Sequence, residues 1–205
     1  MPDIFSYELI QAFGLPGCAL CRAAEADDER WMDSFWREGR RDPEARRRFF
    51  EAGGFCRDHA WLLHRLAAVE SSGAAIADLY GHLAGYDVRG LEDILAGLER
   101  RHTLRRPALR RRRQCPACAF GTEAVKRKAH FLVDALSEAE VGEAYRRSDG
   151  LCFPHLASAL DAALAAGKAD IARFLLEDWR DRLGETQDHA GLIRRYVGDC
   201  PSAAS

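Results

Sequence analysis

Gly54-Phe55-Cys56-Arg57-Asp58-His59 reads as a glycine stop followed by the first turn of a helix, with a thiol and an imidazole one turn apart. Three other stretches give it meaning: Cys18-Ala19-Leu20-Cys21 upstream, then Cys115-Pro116-Ala117-Cys118 and Gly150-Leu151-Cys152-Phe153-Pro154-His155. The chain carries Cys-x2-Cys followed by Cys-x2-His, and then carries the same order again. The gap is nearly constant: Cys21 precedes Cys56 by 35 positions, and Cys118 precedes Cys152 by 34. This repetition predicts an internal duplication with one Cys3His site in each half. The halves would be residues 1–101 and 115–205, joined by a linker over 102–114.

The remaining sequence predicts an all-α fold of about four helices per half, related by pseudo-two-fold symmetry. Alanine, leucine, arginine and glutamate dominate, and no sustained alternation or Asn-Gly hairpin signal argues for strands. Expected helices run over 4–13, 20–38, 44–51, 56–70 and 74–101, the last one helix or a pair. In the second half they follow Cys115, cover 137–147 behind a Ser137-x-x-Glu140 capping box, open at Cys152, and end in one long helix over 168–197. Trp31, Phe35 and Trp36 form a core-facing aromatic stripe, and Leu79, Leu83, Leu91, Ile94, Leu95 and Leu98 are expected to be buried.

With 205 residues, 47% hydrophobic and 30% charged, the composition is that of a globular protein. No apolar run is long enough to span a bilayer. The N-terminus lacks a signal-peptide pattern, so a cytoplasmic location is expected. Seven cysteines, an odd number, fit a reduced metal-binding protein better than a disulfide framework. Cys200 stands outside the pattern. The net charge of -2 hides a local feature: eight arginines and no acid between Arg100 and Arg113.

Three thiolates and one imidazole suit a tetrahedral zinc ion. The expected ligands are Cys18, Cys21, Cys56 and His59 for one zinc, and Cys115, Cys118, Cys152 and His155 for a second. Cys56 and Cys152 would each sit at a helix N-terminus, where the dipole favours a thiolate. An iron–sulfur cluster is the alternative, since histidine can replace a cysteine there. A four-ligand zinc site is closed, which favours a structural role over catalysis. Asp58 reads as a solvated or capping side chain rather than a partner of His59. No P-loop, Gly-x-Gly-x-x-Gly or Gly-x-Ser-x-Gly motif supports an enzyme, and no catalytic residue is assigned. The arginines of the linker (Arg105, Arg106, Arg110, Arg111, Arg112 and Arg113) read first as solvated. Nucleic-acid phosphates are the alternative and an acidic partner the third reading.

At these motifs the sequence resembles a group of uncharacterised bacterial proteins that carry Cys-Pro-x-Cys near the N-terminus, then Gly-Phe-Cys-x2-His, then a second such set. The likeness is sharpest at Gly54–His59 and Cys115–Cys118. Ala19 stands where proline is usual and Leu151 where phenylalanine is usual; neither removes a ligand. The resemblance implies a bacterial, cytosolic, helical, metal-binding protein and brings no activity with it. The function expected is therefore a non-enzymatic scaffold with two structural zinc sites and an unidentified protein partner. The rivals are an iron–sulfur redox or gas sensor and a metalloenzyme.

Overall fold

The computed structural model describes residues 4–70, 73–101, 114–186 and 188–198. Among these there are ten α-helices and no strand: α1 (Ile4–Phe13), α2 (Ala19–Ser34), α3 (Pro43–Ala52), α4 (Arg57–Val69), α5 (Gly73–Arg101), α6 (Pro116–Ala135), α7 (Ala139–Arg147), α8 (Phe153–Ala165), α9 (Ala169–Glu185) and α10 (His189–Val197). Residues 102–113, with the six linker arginines named above, lie outside the described residues, as does Cys200.

The chain forms two compact units, and they do not follow the two halves of the sequence. One joins residues up to Asp27 with those from Gly121 onward; the other is Asp28–Phe120. The helices α2 and α6 each contribute one end to each unit. The expected division at 102–114 is thus replaced by divisions inside two helices.

The Asp28–Phe120 unit is built on the end of α2. There α2 passes into a π turn, Phe35–Gly39, which buries both Phe35 and Trp36. Phe35 and Phe49 meet Phe55 edge-on, with ring centroids at 4.9 and 5.0 Å, a geometry that favours the positive ring edge against the negative face. Trp36 donates its indole N–H to Glu70 at 2.7 Å, so the buried ring leaves no unpaired donor. Met32, Leu63, Leu79 and Leu83 complete this core. The helix α3 starts on an Asp42 cap followed by Pro43, and stops at Gly53 in the left-handed conformation.

The other unit packs Phe13 of α1 and Leu20 of α2 against Leu132 and Val133 of α6, Tyr145 of α7, Leu151 and Leu156, and Leu175 of α9. Ser6 donates to Glu138 at 2.8 Å, fixing α1 beside α7.

Four expectations need correction here. Leu79 and Leu83 are buried, but Leu91 and Leu95 are exposed, because α5 continues as one helix beyond the part that packs on its own unit. Ser137 does not cap α7; Glu138 holds the cap position, its side chain taken by Ser6, while Ser137 accepts from Lys168. The last helix is two, since Asp188 accepts from the Gly191 amide and starts α10 afresh. The fourth concerns which ligands meet.

Candidate metal centre

Each Cys-x2-His motif is delivered by the same local device. Gly54 (φ +90°) and Gly150 (φ +73°) lie in the left-handed region that favours glycine, two residues before the cysteine. A side chain at Gly54 would also put its Cβ 3.0 Å from Leu83. The turn leaves Cys56 as the N-cap of α4 and Cys152 as the N-cap of α8, neither side chain being used for capping. His59 and His155 follow one turn later and point back to the same spot.

All eight predicted ligands enter clusters, but with exchanged partners. Cys18 and Cys21 meet Cys152 and His155; Cys56 and His59 meet Cys115 and Cys118, and in each group the donor atoms lie within 4.8 Å of one another. The expectation of one site within each half is overturned. The physical reason is helix length. Cys18 lies at the start of α2, whereas the end of α2 packs on Phe49 and Phe55, beside Cys56. Cys118 likewise lies near the start of α6, and Leu136, just after its end, belongs to the core that holds Cys152.

In the Cys18 cluster His155 Nδ1 stands 3.5 Å from Cys18 Sγ, 3.3 Å from Cys21 Sγ and 3.1 Å from Cys152 Sγ, and the Cys21 and Cys152 sulfurs are 3.6 Å apart. Cys18 and Cys152 are buried and Cys21 is half-buried. Gly198, after α10, closes over this cluster: a Cβ there would lie 3.0 Å from Cys21 Sγ. An open cavity of about 240 Å³ adjoins it, lined among others by Cys18, Cys152, Asp149, Glu185, Arg194 and Arg195.

In the Cys56 cluster His59 Nδ1 stands 3.1 Å from Cys56 Sγ, 3.7 Å from Cys115 Sγ and 3.4 Å from Cys118 Sγ, and the Cys56 and Cys118 sulfurs are 3.7 Å apart. Here the other ring nitrogen has a partner: Asp28 Oδ2 lies 3.4 Å from His59 Nε2. The second oxygen of Asp28 is buried without a hydrogen-bond partner. The adjacent Asp27 turns instead to Lys128, at 2.7 Å.

Thiols, an imidazole and, at one cluster, Asp28 set one another's protonation. Asp28, then Cys115 and Cys56, raise His59 to about 11. Burial works against protonating His155, yet Cys152 and Cys18 hold it up at about 9. Hydrogen bonds from Cys152 and Cys21 push Cys18 far below its ordinary value. For Cys115 burial acts upward, but the His59 bond and backbone amides overcome it and the thiol ends below its ordinary value. Burial and Cys56 drive Cys118 up. A divalent cation would neutralise the thiolates and replace the shared protons.

Compared with protein families, curated proteins and solved structures, the chain matches none.

Asp28 is the functional residue that the sequence reading missed. The adjacent residue to His59, Asp58, is exposed and pairs with Arg57 at 2.9 Å. Asp28 is 31 positions away and carries no motif, so only the packing of α2 against α4 reveals it. A carboxylate on the far nitrogen fixes the tautomer and ring orientation of a ligating histidine. Asp28→Ala is expected to weaken metal binding at the Cys56 cluster by about 10- to 100-fold. The Cys18 cluster should be unaffected, and Asp28→Asn should restore part of the loss. Chelator competition on the cobalt-substituted protein measures both; equal weakening of the two sites would contradict this role.

Among the described residues no helix is long and apolar enough to cross a membrane.

Proposed function

We propose that the protein is a non-enzymatic scaffold whose two Cys3His clusters each hold a structural zinc ion, and that the stapled helices serve an interaction with a protein partner. The observation that carries this reading is the size of the ligand sets. Ligand atoms around one tetrahedral zinc stand about 3.8 Å apart for sulfur–sulfur and about 3.6 Å for sulfur–nitrogen, from the usual bond lengths. The Cys21–Cys152 and Cys56–Cys118 sulfurs are 3.6 and 3.7 Å apart, the sulfur–nitrogen distances run from 3.1 to 3.7 Å, and all donor atoms of a cluster lie within 4.8 Å of one another. Donors arranged this way converge on a single atom. An iron–sulfur cluster places its ligands on different irons, so its thiolates stand farther apart than ligands sharing one ion.

Four protein donors leave no position for water or substrate, which supports a structural rather than a catalytic ion. The near-constant spacing of the motifs supports an ancestral duplication in which the ligand pairs of the two copies have exchanged. A cytoplasmic location and the reduced state of the thiols go together in this reading.

Metal analysis and visible absorption of protein purified without oxygen test it. Two zinc ions per chain and no colour are expected. Brown protein with acid-labile sulfide, or protein with no metal at all, would sink the proposal.

A further inference from the structure

The helix α5 carries two apolar faces, and its own unit uses one. Leu79 and Leu83 are buried against the core. On another side, Ala77, Gly81, Ala84, Val88, Leu91 and Leu95 recur at alternating four- and three-residue steps, the spacing of a coiled-coil seam. All six are exposed. Val88, Leu91 and Leu95 are 52%, 47% and 60% exposed, and a Cβ added at Gly81 would meet nothing within 4 Å. The helix also contains Gly81, Gly85, Gly90 and Gly97 in its interior. Each costs roughly 1 kcal/mol of helix stability relative to alanine. A glycine-rich helix with an open apolar seam gains its stability from packing.

We propose that α5 packs antiparallel against α5 of a second copy of this chain. The seam is self-complementary in size. Its first three positions are small (Ala77, Gly81, Ala84) and its last three are large (Val88, Leu91, Leu95). Antiparallel pairing about a two-fold axis sets Ala77 against Leu95, Gly81 against Leu91 and Ala84 against Val88, so every layer joins one small and one large residue. A parallel pair would set small on small and large on large, leaving gaps at one end and crowding at the other.

The area fixes the strength. The seam is about 27 Å long at 1.5 Å per residue. Two such strips bury on the order of 1,000 Å², the lower edge of what a specific interface needs. The dimer is therefore reversible rather than obligate. Acidic residues flank the seam (Asp87 and Glu92), so the two copies repel weakly at low salt and salt tightens the pair. This inference does not depend on which metal the clusters hold.

The test is sedimentation equilibrium of the full chain across protein concentration, at low and high salt. A concentration-dependent monomer–dimer equilibrium that tightens with salt is expected. Leu91→Glu with Leu95→Glu, both at exposed positions, should raise the dissociation constant by about 30-fold or more. Gly81→Leu should also weaken the dimer by crowding the Leu91 layer, and adding Leu91→Ala to it should restore pairing, because the layer again holds one small and one large side chain. A protein that stays monomeric throughout overturns the proposal and leaves the seam to a different protein. A dimer indifferent to the Leu91 and Leu95 substitutions overturns the assigned face, and failure of the Leu91→Ala rescue overturns the antiparallel register. Circular dichroism of each variant separates loss of pairing from loss of folding.

Discussion

Cys18→Ser combined with Cys152→Ser should leave one zinc per chain, and Cys18→Ser combined with Cys56→Ser should leave none. The first pair removes two ligands from one cluster and spares the other; the second removes one ligand from each. A site confined to each half of the sequence would reverse the result, with one zinc for the Cys18 and Cys56 pair and none for the Cys18 and Cys152 pair. Serine is close to cysteine in shape, so the change is chemical more than steric, and a hydroxyl is a poor zinc ligand at neutral pH beside thiolate and imidazole. Metal content after gel filtration reads the outcome directly. A third combination, Cys56→Ser with Cys118→Ser, should again leave one ion, held by the four ligands from α2 and α8. If the two one-zinc variants lost both ions, the clusters would be coupled through folding, and cobalt titration at saturating metal would then recover the second site.

The exchange of partners shows where sequence reading reaches its limit. The eight ligands were legible because cysteine and histidine at x2 spacing have few other uses, and because the spacing recurs. The local geometry was legible too: glycine, an intervening residue, then a cysteine at a helix start predicted the N-cap positions of Cys56 and Cys152. The pairing was not, because equal sequence gaps invite the nearest motif in the chain, whereas contact is decided by where a helix ends. Cys21 belongs to the unit at the start of α2, and Cys56 to the unit at its end. The rise per residue would have supplied the warning, had the far end of α2 been known to pack on Phe55. Asp28 was invisible for the same reason: its role exists only once α2 lies beside α4. Leu91 and Leu95 misled differently. Apolar spacing predicts a buried stripe, and the stripe is there, but it faces outward on a helix that has already buried Leu79 and Leu83 on another side. Periodicity identifies a face; it does not say which molecule covers it.

Stripping the zinc at neutral pH should unfold much of the chain rather than merely loosen it. Each cluster brings the start of one helix to the start of another far along the sequence, Cys18 to Cys152 and Cys56 to Cys115, so a bound ion would tie them. A structural zinc contributes on the order of 10 kcal/mol to folding at pH 7. The net stability of a domain is only about 5–15 kcal/mol, so the loss of either ion is comparable to the whole. The helices α4 and α8 should fray first, since their N-caps are ligands and make no capping hydrogen bond. Acid should act in the same direction. Binding requires three thiolates and an imidazole nitrogen free of its proton, so the metal-bound state holds fewer protons than the metal-free one. By linkage its stability rises with pH and falls as acid is added. Zinc release and far-UV circular dichroism, followed together from pH 8 downward, should therefore fall in step and steeply. A strong chelator at pH 7.5 should reproduce the same loss of helix, and added zinc should reverse it. Unchanged helicity after the zinc count has reached zero would mean that the aromatic core around Trp36 and Phe49 and the core around Tyr145 suffice without the staples, and that the ions serve something other than folding.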